Sequence, residues 1–156
     1  MDLRTVLVAL VHLALAGIGG WLVVIDARTH RLPNRIVLPT LAGLLVLVLL
    51  DAAGTGETHG LIRALLGALI LGGFYVVLRL LSPAGMGGGD VKLALVIGLV
   101  LGWHGWQALA VGAASAFVLG ALYALALIAL HRADGATRIA FGPWMIAGAA
   151  VGIVFT

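Results

Sequence analysis

The sequence predicts an all-α fold, a single-domain polytopic membrane protein of about six transmembrane helices spanning residues 1–156. Three observations carry this. The chain is 63% hydrophobic and only 10% charged, whereas soluble domains run near half apolar and a quarter charged. Mean hydropathy is +1.21, and apolar runs approaching the ~20 residues that cross a bilayer recur along the chain. Basic residues gather in alternate connections between those runs, as membrane topology requires. A water-soluble fold would leave most of this apolar surface wet, so the membrane class follows before any motif is read.

The first span is read from Arg4 to Ile25. It is longer than a signal-peptide core, and Asp2 with Arg4 make a poor basic leader, so a retained span is expected. A polar connection follows, Asp26 to Arg35 (DARTHRLPNR). The second span runs from Ile36 to Leu50, with Pro39 in its first turn, where proline is tolerated. Asp51 to Gly60 (DAAGTGETHG) reads as a loop, and Leu61 to Leu81 as the third span. Ser82 to Gly89 (SPAGMGGG) is too glycine-rich for regular helix. A short fourth span covers Asp90 to Trp103, and Gly102 to Gln107 reads as a turn. Ala108 to Leu130 is the fifth span. The loop His131 to Ala140 holds Arg132, Asp134 and Arg138, and Phe141 to Phe155 is the sixth span. The 23 glycines fit this class, because small residues let membrane helices approach closely.

Charge sets the topology. One side carries Arg28, Arg31, Arg35, Arg79, Lys92, Arg132 and Arg138, and the other only Arg4 and Arg63. The positive-inside rule places the first group in the cytoplasm and both termini outside, in a cytoplasmic (inner) membrane. The pI of about 10.2 is therefore a topology signal and not a nucleic-acid footprint. The absence of cysteine excludes disulfides, a thiol nucleophile and cysteine-ligated zinc. His30 and His131 read as solvated loop residues.

The acids are Asp2, Asp26, Asp51, Glu57, Asp90 and Asp134. Asp2 is terminal, Asp51 and Glu57 read as solvated loop charges, and Asp134 sits among arginines. Asp26 and Asp90 differ, since each abuts a long apolar segment, where a carboxylate is costly without a task or partner. Both fall at the cytoplasmic ends of their spans. Two converging carboxyls that share one proton can hydrolyse a peptide: one takes a proton from water and the other polarises the scissile carbonyl. The structural alternative is that Asp26 pairs Arg28 or Arg31 and Asp90 caps a helix. Asp26 ends a helix and Asp90 begins one, so the dipoles favour Asp90 as resting base and Asp26 as acid. Gly85, Gly87, Gly88 and Gly89 permit backbone conformations closed to other residues, and could expose backbone for an extended substrate.

Gly87-Gly88-Gly89-Asp90 fits the GxGD signature of intramembrane aspartic peptidases. The string GGGDVKLALVIGLVLGW, Gly87 to Trp103, closely resembles the type IV prepilin peptidase family. DARTHRLPNRIVLP, Asp26 to Pro39, resembles that family's first aspartate motif, and AFGPWMIAGA, Ala140 to Ala149, its C-terminal FGP motif. The resemblance implies an aspartic endopeptidase with Asp26 and Asp90 catalytic and Gly87, Gly88 and Gly89 in an active-site loop. It implies removal of the basic leader from a prepilin or pseudopilin at the cytoplasmic face. Larger members carry an N-terminal methyltransferase region with paired CxxC motifs; without cysteine, peptidase activity alone is expected here. Pro33 and Asn34 are expected to shape the turn into the second span, and Phe141, Gly142 and Pro143 the entry to the last. Lys92 lies about 200° from Asp90 around a helix, so it should reach lipid phosphate or hold a loop rather than pair that acid. No metal or cofactor is called for, because carboxylates activate water themselves. Membrane lipid surrounds the chain, and the sequence leaves oligomeric state open. The rival classes are a catalytically inactive relative acting as a membrane scaffold or assembly factor, and a small proton-coupled transporter. The latter predicts acids deep within spans and internal repeats, and neither is seen.

Overall fold

The computed structural model describes residues 2–83, 85–132 and 139–156. Asp134 and Arg138 lie outside the described residues. Six helices follow in order: α1 (Leu3–Thr29), α2 (Asn34–Thr55), α3 (Thr58–Leu81), α4 (Gly88–His104), α5 (Trp106–Ala129) and α6 (Gly142–Val154). In lipid, backbone groups must be satisfied within the segment, which favours helices throughout. Helices α1, α2, α3 and α5 are long and apolar enough to cross a membrane. At 1.5 Å per residue α4 spans about 25 Å and α6 about 20 Å. Leu69, Ile70, Leu122 and Leu125 stand 54–67% exposed, a surface that suits hydrocarbon and not water.

The connections are shorter than the sequence suggests. Asp26 to Thr29 are helical, and α1 stops only at His30, in the left-handed region (φ 49°), whose N–H donates to the Asp26 carbonyl. The expected loop Asp51–Gly60 shrinks to Gly56 and Glu57. Asp51 stays helical because Arg4 of α1 binds its carboxylate at 2.8 and 3.1 Å. Gly56 (φ 73°) then ends α2. Because α2 begins at Asn34, Pro39 falls in its second turn and not its first. The unmade bond leaves the carbonyl of exposed Arg35 to solvent or headgroups, so the cost is small. Gly105 alone joins α4 to α5; its φ of 146° is a backbone that side chains disfavour.

Packing is dominated by two glycine seams, one between α3 and α4 and one between α5 and α6. A Cβ on Gly98 would lie 2.8 Å from the Gly67 carbonyl carbon and 2.9 Å from the Ala68 Cα. A Cβ on Gly148 would lie 2.6 Å from the Ala116 nitrogen, and one on Gly152 2.6 Å from the Ala108 carbonyl. Small residues four apart thus allow backbone-to-backbone contact, as in membrane helix pairs generally. Helix α4 is the central element, touching α2, α3, α5 and α6, whereas α1 packs chiefly on α6.

Candidate active site

Asp26 lies in the last turn of α1 and is 4% exposed. Its Oδ2 accepts the N–H of Gly142, the first residue of α6, at 3.0 Å. Phe141 precedes that glycine and packs on Phe117 at 5.2 Å and on Tyr75 at 6.1 Å, which fixes where α6 begins. Pro143 occupies the second helical position, where its missing N–H costs nothing. Phe141, Gly142 and Pro143 thus do more than set the entry to a span: they aim one backbone N–H at Asp26. A Cβ on Gly142 would fall 2.5 Å from Asp26 Oδ2, so the contact requires glycine. Gly142→Ala is expected to displace the carboxyl and slow any hydrolysis in which Asp26 takes part by about 100-fold, the penalty an ångström of misplacement can carry. Its thermal midpoint should stay near wild type, because alanine suits a helix start better than glycine. Cleavage rate and melting of the purified variant check both halves.

Asp90 is the third residue of α4, and its Oδ2 accepts the Gly87 N–H at 2.9 Å. Gly88 and Gly89 lie in the first turn of the helix, which corrects the expectation of an irregular chain up to Gly89. None of Gly87, Gly88 and Gly89 has positive φ; Gly87 is extended at φ −74°. Their smallness is used instead. The Arg79 guanidinium lies against Gly88, and a Cβ on Gly89 would meet the Leu32 Cβ at 2.8 Å. The α1–α2 connection therefore sits directly on the start of α4.

Lys92 reaches the same connection. Its Nζ donates to Asn34 Oδ1 at 2.7 Å, and Pro33 caps α2 just before Asn34. Of the roles the sequence allows Lys92, holding the loop is the one formed. Asn34→Ala and Lys92→Met are each expected to cost roughly 0.5–1 kcal/mol, this being an exposed charge-assisted bond. The double variant should cost no more than either alone, as denaturation in micelles would show.

The α1–α2 connection, the start of α4 and the start of α6 thus lie at one end of the bundle, which places Asp26 and Asp90 at that same end. No hydrogen bond joins the two carboxyls. Sequence reasoning missed three neighbours: Leu32, Tyr75 and Arg79. Tyr75 is buried at 1% exposure and packs on Phe141, and Arg79, one turn further along α3, lays its guanidinium against Gly88 two residues before Asp90. A tyrosine within an apolar span was the available signal. The dipole argument also changes, because Asp26 faces the N-terminus of α6 while Asp90 sits at that of α4. Both acids meet a positive helix end, so dipoles do not assign acid and base, and the pair is best treated as one titrating unit. Among the described residues no cluster of three metal-ligating side chains forms.

Fold and site together define a membrane-spanning helix bundle with paired carboxyls at one end. The chain belongs to the type IV leader peptidase family, whose model matches residues 13–125, a stretch that contains both aspartates. It is 37% identical over 134 residues to a prepilin leader peptidase/N-methyltransferase of Dickeya chrysanthemi, covering 85% of this chain and 46% of that protein. Proteins of the same description from Aeromonas hydrophila (36% over 127 residues; 80% and 42% covered) and Bacillus subtilis strain 168 (33% over 135 residues; 85% and 50% covered) also match. The chain spans about half the length of these curated relatives. No solved structure matches it.

Proposed function

We propose that this chain is an aspartic endopeptidase that removes the basic leader peptide from type IV prepilins or pseudopilins at the cytoplasmic face of the cytoplasmic membrane. The observation that supports the reading is that Asp26 and Asp90 lie at the same end of the bundle, each with one carboxyl oxygen held by a glycine N–H. The Gly142 and Gly87 N–H groups each orient one oxygen, leaving the other to act on water or substrate. The pair holds one proton. The ionised carboxyl takes a proton from water as it attacks the scissile carbonyl, and the protonated one donates to the carbonyl oxygen. The proton taken from water then passes to the leaving amine.

The cytoplasmic placement is supported by Arg28, Arg31, Arg35, Arg79, Lys92 and Arg132, all at the aspartate end, against Arg4 and Arg63 at the other. Cleavage without N-methylation is supported by the absence of cysteine. Co-expression with prepilins of the same genome tests the reading. Wild type should shorten one of them and leave its new N-terminus unmethylated by mass spectrometry. Cleavage that persists in Asp26→Ala or Asp90→Ala would reject the assigned pair.

A further inference from the structure

At the end of the bundle remote from the aspartates, His12 of α1 faces His104 of α4. Their Nε2 atoms are 3.0 Å apart, with ring centroids 5.0 Å apart and planes at 88°. Each Nδ1 is also engaged, that of His12 with the Val8 carbonyl at 2.7 Å and that of His104 with the Val100 carbonyl at 2.9 Å. A carbonyl oxygen only accepts, so each Nδ1 must carry the hydrogen. A neutral imidazole has one N–H. Both Nε2 atoms are then bare lone pairs at hydrogen-bonding distance with no hydrogen between them. Three contacts need three N–H groups, and two neutral rings supply two.

We propose that His12 and His104 form a cation-binding clasp, in which one Lewis acid that imidazole nitrogen accepts, a proton or a divalent cation such as Zn²⁺, joins α1 to α4. An N–H locked onto a backbone carbonyl is the arrangement that fixes the tautomer of a ligating histidine. Both half-buried rings border a cavity of about 510 Å³ between α1, α2 and α4, lined mostly by leucine and valine side chains. The charged groups in that cavity are Arg4 and Asp51, which are bonded to each other, with Trp103 Nε1 also on Asp51 at 3.4 Å. Glu57, His59 and Arg63 line an adjoining polar pocket. Helices α5 and α6 contribute no charged residue. No described carboxylate bonds either ring, so the shared cation is what holds them together.

The clasp joins the same two helices that carry the aspartates. Fourteen residues separate His12 from Asp26 on α1, and fourteen separate Asp90 from His104 on the antiparallel α4. That is about 21 Å on each helix and within about 40° of a common face. Helix α1 otherwise packs chiefly on α6, so the clasp ties its far end to the core.

The test uses the full chain in micelles and no substrate, so it stands or falls apart from the peptidase reading. In metal-free buffer, lowering the pH from about 8 to about 6, or adding Zn²⁺ in roughly tenfold excess at fixed pH, should raise the thermal midpoint by roughly 4 °C or more. His12→Gln and His104→Gln should each lose that gain. A gain on acidification alone identifies the proton, and one that requires Zn²⁺ identifies the metal. Imidazole ¹⁵N spectra of the wild type supply a reading that does not depend on the variants folding. With the cation present, both rings should keep Nδ1–H while Nε2 carries the proton or metal. Equal midpoint shifts in wild type and both variants, or two rings whose ¹⁵N signals respond to pH independently of each other and ignore Zn²⁺, would overturn the clasp.

Discussion

Asp26→Asn and Asp90→Asn are each expected to lower leader cleavage by about 10³-fold or more while leaving the fold intact. Asparagine matches aspartate in shape, and its carbonyl oxygen can still accept the Gly142 N–H in one case and the Gly87 N–H in the other. What it lacks is a proton to exchange. General acid–base steps contribute about 10²–10⁴ in rate, and a pair acting as one unit loses nearly everything when either member is removed. The double variant should therefore be scarcely slower than either single one. Cleavage kinetics with a purified prepilin measure this, and melting in micelles confirms that the variants fold. A single variant within tenfold of wild type would mean that its carboxyl does no chemistry.

The largest effect on stability is expected at the α3–α4 seam. Gly98→Val places a branched side chain where even a Cβ would meet the backbone of Gly67 and Ala68 within 3 Å. Neither helix can yield locally, because the obstructing atoms are main chain. A cost of about 3 kcal/mol or more follows, at or above the upper end for overpacking, and little folded protein should be recovered. Gly73→Val, on the same helix as Gly67 but with nothing within 4 Å of its Cβ position, should behave almost as wild type. Equal melting of the two variants would show that the seam is not a close backbone contact.

The helix count and the four long apolar helices were legible because hydropathy acts over whole segments. The helix ends were less so. Asp51 looks like a loop residue until Arg4, distant in the chain, is seen to neutralise it. Asp26 looks like the start of a loop because its partner, the Gly142 N–H, lies across the bundle. The glycines before Asp90 were read for conformational freedom, whereas they serve close approach by Leu32 and Arg79. The His12–His104 pair was invisible, since two isolated histidines carry no pattern until the helices bring them together.

The two seams divide the molecule in a way that bears on its chemistry. One tightly zipped pair, α3 with α4, bears Asp90; the other, α5 with α6, supplies the amide that grips Asp26. The relative placement of the acids is therefore not set within either pair; it depends on how the pairs pack on one another, where Phe141 meets Tyr75 and Leu101 meets Gly112.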